Sequence, residues 1–326
     1  MCAGALRPAQ KGGMGMRRRW LCALLAACAL LCACGAGEGS AAAPTSPSQG
    51  AQATGSQAGY QPPPMAQAAF DASAATGEND CLLDTSHLAQ GYVAVSAVSG
   101  KRLKFQVVFG DVKYNYDLPG DGTPIVCPLQ SGDGEYTFRV MENVADTQYS
   151  EKYARTEQVQ LASELEPFLR PSCYVDYAEG DDCVALAGQL AASAADEAGM
   201  VSAVYAYIVE HIRYDTPKAE TIGTGYLSDP DETLATGKGI CIDYAVLAAA
   251  MLRSQGVPTK VITGYVAPND LYHAWNMIWL EETGWITVKI EVDRETWTRV
   301  DLTFAAGGAD AEFIGDGSNY REYKTY

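Results

Sequence analysis

The stretch GKGICIDYAVLAAAMLRSQGVP, residues 237–258, constrains the chain more than any other. Tyr244, Leu247, Ala248, Met251 and Leu252 recur at i, i+3, i+4, i+7 and i+8, the stripe of a helix that packs on a core. Gly256 and Pro258 end that helix, and Gly237 with Gly239 allow a tight turn ahead of it. A cysteine, Cys241, stands at the helix start. The thiolate is the nucleophile in cysteine chemistry, and a helix N-terminus lowers thiol pKa by stabilising negative charge. A cysteine on an Ala-rich helix is also simply a small buried hydrophobe, so the position alone does not decide between the two.

A nucleophile needs a base, and the chain has three histidines. His87 is isolated in a different region, and His211 sits at the end of an apolar helical run where the helix dipole accounts for it. His273 remains, in HAWNMIWL. A base also needs a group that fixes its tautomer. Asp301, in WTRVDLTF, belongs to a later strand pattern that can run beside His273; Asp293 is its rival in the turn sequence VDRET.

These residues carry a resemblance. GKGICIDYAVLAAAMLRSQGVPTKVITGY, then HAWNMIWL, GW and WTRVDLTF resemble the core of the transglutaminase-like superfamily over about residues 195 to 305. The resemblance implies a papain-like triad with Cys241 as nucleophile, His273 as acid/base and Asp301 as orienter. It implies an α+β papain/transglutaminase-like core in which the Cys-bearing helix packs on an antiparallel sheet. The family's Asp-Pro-Thr reads Asp301-Leu302-Thr303 here, and the Trp or Gln that supplies an oxyanion donor upstream of the cysteine in relatives is missing. The Cys241 backbone N–H and, by proximity in sequence, Tyr226 are the candidate donors. No acidic cluster has calcium-loop spacing, so neither metal nor cofactor is expected.

The rest of the chain sets the context. Arg17, Arg18 and Arg19 precede an uncharged apolar stretch, Trp20 to Ala33, which ends in Leu31-Cys32-Ala33-Cys34. Residues 1–33 therefore read as a signal peptide whose end resembles a bacterial lipobox, with Cys34 as the lipidated residue. Residues 34–80, rich in Ala, Gly, Ser, Gln and Pro, read as a disordered tether. Removal of the leader deletes five basic residues and no acidic one, taking the net charge from −17 to −22. Such a surface disfavours nucleic acid.

Residues 81–150 carry alternating runs separated by Gly/Asp turns and read as a small all-β sandwich-like domain. Residues 151–195 read as a connecting segment and residues 196–326 as the transglutaminase-like domain, with a loop from Tyr214 to Gly239 and strands Thr259–Ala267, His273–Leu280, Trp285–Val292 and Trp297–Phe304. Five cysteines follow Cys34, and an even set can pair in an exported protein: the expectation is Cys81 with Cys127 and Cys173 with Cys183, leaving Cys241 free.

The chain thus reads as an exported lipoprotein, anchored through Cys34 and facing outside, that hydrolyses peptide or protein amide bonds through a Cys thioester. An amine-transferring cross-linker and a non-catalytic surface binding or scaffold protein are the alternatives.

Overall fold

The computed structural model describes residues 59–266, 271–288 and 320–326. Seven strands make the first module: β1 (Cys81–Asp84), β2 (Tyr92–Ala97), β3 (Leu103–Phe109), β4 (Val112–Leu118), β5 (Ile125–Pro128), β6 (Gly134–Ala145) and β7 (Gln148–Val159). They form two antiparallel sheets, ordered β1-β2-β5 and β4-β3-β6-β7. The period-2 pattern decides which face is inside. In β4, Tyr114, Tyr116 and Leu118 are buried while Lys113, Asn115 and Asp117 face water. Val93, Val95, Phe105, Val107, Phe138 and Val140 fill the space between the sheets.

A second core follows. Its elements are α1 (Asp182–Ser193), α2 (Glu197–His211), β8 (Arg213–Tyr214), α3 (Thr216–Thr221), α4 (Pro230–Thr236), β9 (Lys238–Gly239), α5 (Cys241–Ser254), β10 (Thr259–Val266), β11 (Leu271–Leu280), β12 (Gly284–Val288) and β13 (Tyr320–Thr325). The sheet is antiparallel, ordered β12-β11-β10-β13. Helix α5 lies between this sheet and helices α1, α2 and α4. Every residue from Asp243 to Ser254 is buried, so α5 is apolar all round rather than on one face. Its run of Ala248, Ala249 and Ala250 suits that central place, because small side chains let neighbours approach closely. The fold is α+β, with a Cys-bearing helix on an antiparallel sheet and a β module before it.

Three expectations change and one strand is added. The stretch from Tyr214 to Gly239 is not a loop throughout; it holds α3 and α4. Each begins with an aspartate cap and a proline in the first turn: Asp215 accepts from the Lys218 N–H, and Asp229 from those of Asp231 and Glu232. Strand β13, which pairs with β10, was not expected at all. The strand read at Trp297–Phe304 lies outside the described residues.

Residues 59–80, assigned to the tether, are packed against the body. The Tyr60 hydroxyl donates to the Gln255 carbonyl at 2.6 Å, Met65 packs on the helical core, and the Asp71 N–H donates to buried Asp84 at 2.8 Å. A few anchoring side chains without periodicity hold this segment, so its composition alone reads as spacer.

The expected cysteine pairs do not meet. β2 lies between β1 and β5, with Cys81 opposite Ala97 and Cys127 opposite Val93, so the two cysteines are more than two inter-strand spacings (about 9.5 Å) apart, beyond the reach of a disulfide. Cys173 packs against the β core, whereas Cys183 is buried in the helical core on the first turn of α1. Instead, Cys127 and Cys173 are neighbours, with sulfurs 3.8 Å apart.

Candidate functional site

Backbone constraints place Cys241. Gly237 caps α4 at φ +62°, in the left-handed region, with its N–H on the Thr233 and Leu234 carbonyls. The parallel pairing of β8 with β9 then holds the chain: Arg213 N–H donates to the Gly237 carbonyl at 2.8 Å and Asp215 N–H to the Gly239 carbonyl at 2.9 Å. Gly239 has no room for a side chain, since an added Cβ would come within 2.7 Å of the Asp243 Cβ. That close approach lets Asp243 Oδ2 accept the Ile240 N–H at 2.8 Å, and α5 starts at Cys241.

Asp243 does more than cap the helix. It is fully buried, and its two oxygens are shared by three donors: the Ile240 N–H and Lys218 Nζ at 2.8 Å on Oδ2, and the Tyr226 hydroxyl at 2.7 Å on Oδ1. The Lys218 ammonium also lies 4.6 Å from the Tyr226 ring centroid. Burial alone pulls the Lys218 ammonium down, but its bonds to Asp243 and Tyr226 outweigh this and raise its pKa. The Tyr226 hydroxyl is therefore engaged with Asp243, which corrects the expectation that it serves as an oxyanion donor.

Strand β11 brings the second expected residue. His273 pairs with Gly264 of β10 and is half-buried. The next residue, Ala274, lines the same small cavity as Cys241, and its backbone N–H favours the Cys241 thiolate. Burial raises the Cys241 thiol above its ordinary value, opposed by the N–H groups of Ala274, Ile242 and Cys241 itself, with Asp243 adding to the rise. At this helix N-terminus desolvation outweighs the N–H donors.

Cys241, Ala245, Ala274, Trp275 and Asn276 line a small cavity of about 10 Å³, room for about one water molecule. The walls are fixed by Asn276, which is buried and fully bonded. Its Nδ2 donates to the Ala245 carbonyl at 2.9 Å and the Lys260 carbonyl at 3.1 Å, and its Oδ1 accepts the Tyr205 hydroxyl at 2.8 Å. One side chain thus ties α5, β10, β11 and α2 together beneath the cysteine. On another side, Tyr174 stacks on Tyr326 at 3.6 Å, and its hydroxyl is raised by burial and by nearby Tyr326, Tyr272 and Cys241.

Cys241 and His273 therefore sit on elements that meet. Asp301, its rival Asp293 and the lipobox residue Cys34 lie outside the described residues. His211 caps the end of α2, stacked on Tyr207 with Nδ1 2.9 Å from the Tyr207 carbonyl. Sequence reading missed Asn276 and Lys218. Asn276 had a signal, a lone amide inside an apolar strand, which must find partners when buried. Lys218 had none, because it lies in a polar stretch 25 residues before Asp243.

Comparison with known proteins gives the following similarities. Residues 184–290 match the family model described as Transglutaminase-like superfamily. A stretch of 67 residues is 31% identical to the UPF0252 protein of Methanocaldococcus jannaschii; the match spans 19% of this chain and 19% of that relative, about a fifth of its length. Among solved structures, a candidate cysteine protease from Cytophaga hutchinsonii is similar at TM-score 0.33 and 15% identity, over 60% of this chain and 73% of that one. Red sea bream transglutaminase is similar at TM-score 0.27 and 12% identity, over 60% and 47%. Residues 184–290, about a third of this chain, are thus similar to the transglutaminase-like superfamily.

Proposed function

We propose that this domain is a thiol enzyme that hydrolyses peptide or protein amide bonds, with Cys241 as nucleophile, His273 as acid and base, and Asp301 as the residue that orients His273. The observation that carries the reading is that Cys241 and Ala274, the residue after His273, line one small cavity. His273 takes the thiol proton as sulfur attacks the amide carbonyl, and it returns a proton to the leaving amine. Water, deprotonated by His273, then hydrolyses the thioester. The raised thiol pKa suits this order, because ionisation waits for the base and substrate. The backbone N–H groups at the start of α5 are the donors available to the developing oxyanion.

The substrate lies outside the cell in this reading. Cys34 carries the lipid anchor in this reading. Metabolic labelling with a fatty-acid precursor tests the anchor: incorporation is lost in Cys34→Ala, and equal incorporation in that variant excludes it.

The activity itself is tested by incubating the chain with a mixed protein substrate and counting newly formed amino termini. The wild type generates them and Cys241→Ala does not. Equal counts contradict hydrolysis at Cys241. Incorporation of a fluorescent primary amine in place of new termini assigns the thioester to cross-linking instead.

A further inference from the structure

We propose that Cys127 and Cys173 form a disulfide that staples the β module to the segment entering the helical core. Three observations carry it. The sulfurs are 3.8 Å apart. The two backbones are held together independently of the side chains, because the Cys173 N–H donates to the Val126 carbonyl at 2.8 Å. The geometry is that of two neighbouring chains, and side-chain rotation brings the sulfurs to the bonded distance of about 2.05 Å. Finally, β5 is an edge of its sheet, pairing with β2 on one side only, so the segment at Cys173 covers an otherwise open edge.

The bond has a consequence for the domain seam. Cys173 is followed by Tyr174, whose ring stacks on Tyr326, and Tyr326 packs against both cores. A covalent link at Cys173 fixes this contact from the β side. No other described cysteine competes: Cys81 is two strands away from Cys127, Cys183 lies in the helical core, and Cys241 opens α5. The inference does not depend on what Cys241 does.

The chemistry is thiol–disulfide exchange with a low-molecular-weight or protein disulfide as oxidant. Half-buried Cys173 attacks the oxidant disulfide, forming a mixed disulfide and releasing one thiol. Cys127 then attacks the Cys173 sulfur and releases the second thiol. Two protein thiols lose two electrons and two protons, and the oxidant becomes two thiols. Burial holds the Cys127 thiol well above its ordinary pKa, so the second step is fastest while the chain is still closing around it.

The full chain is incubated with oxidised glutathione in two arms, once folded and once during refolding from the reduced, denatured state. Free thiols are then alkylated in denaturant without reductant, and peptides are mapped by mass. A Cys127–Cys173 linked peptide, lighter by two hydrogens than its reduced parts, is expected in the refolding arm at least. The wild type then melts several degrees above Cys173→Ser in oxidising buffer, and the two converge when both are reduced. Alkylated Cys127 and Cys173 in both arms, or either cysteine joined to a different one, overturns the proposal.

Discussion

Cys241 and Ala274 line one small cavity, and this contact joins the start of α5 to the strand that carries His273. The contact depends on α5 holding its height above the sheet, and three buried polar groups set that height: Asn276, Asp243 and Arg253.

Asn276→Ala strands the Tyr205 hydroxyl and the Ala245 carbonyl inside the core. The expected cost is about 3 kcal/mol, from leaving buried groups without partners. Urea unfolding measures it as a lower midpoint at unchanged slope. A variant as stable as wild type contradicts the bonding described.

The Asp243 network separates structure from chemistry. Lys218→Met leaves a buried carboxylate without its cation and is expected to cost roughly 2–3 kcal/mol, below the range for fully buried pairs because Lys218 keeps contact with water. Tyr226→Phe removes one hydrogen bond and costs about 1–2 kcal/mol. Each variant should retain turnover wherever it is folded. Loss of turnover in Tyr226→Phe at wild-type stability would return Tyr226 to the oxyanion role.

Arg253 is fully buried and, among the described residues, bonds only carbonyls: those of Thr259, Arg170 and Tyr326, at 2.8, 3.1 and 3.0 Å. Burial lowers its pKa to about 10. Its three bonds span α5, the segment before Cys173 and the last described residue, so Arg253→Met should lower the melting temperature and loosen both cores together. A loss of about 3 kcal/mol is expected, read by denaturant unfolding monitored at tyrosine fluorescence. Unfolding of the helical core alone contradicts the bridging role.

Alkaline pH should unfold the chain early. Burial raises Tyr60 and Tyr244 from 10.0 to about 12. Each is an acid whose folded pKa lies above its unfolded value, so the unfolded chain loses its proton first as pH rises. The stability they contribute is fully present below pH 10 and is lost between about 10 and 12. Melting temperatures measured at pH 8, 10 and 11 should fall steeply across the last two values. A flat profile contradicts the burial of these hydroxyls.

Much of this was legible in the residues, for physical reasons. The apolar helical run that ends at His211 was legible, and α2 buries its Met200, Val201, Val204, Tyr205 and Ile208, because apolar side chains at helical spacing fall on one side of a helix and leave water together. Gly237 and Gly239 were legible as a turn, since one needs φ +62° and the other has no room for a Cβ. The central burial of α5 was not legible: a stripe shows that one face is inside, and alanines on the other face are compatible with either environment. The cysteine pairs failed because sequence spacing carries no information on strand order, and β2 intervenes between β1 and β5. The thiol's raised pKa was missed for a similar reason. A helix N-terminus is visible in a sequence, but the depth at which it is buried is not.

The most direct test of the account is the rate at which a peptide-linked vinyl sulfone labels Cys241, mapped by mass and compared with His273→Ala. The account predicts stoichiometric labelling confined to Cys241 in the wild type, rising with pH as the thiol ionises, and a rate lower by on the order of 100-fold without the histidine. Equal rates in the two proteins, or labelling spread to Cys173 with Cys241 untouched, would contradict it.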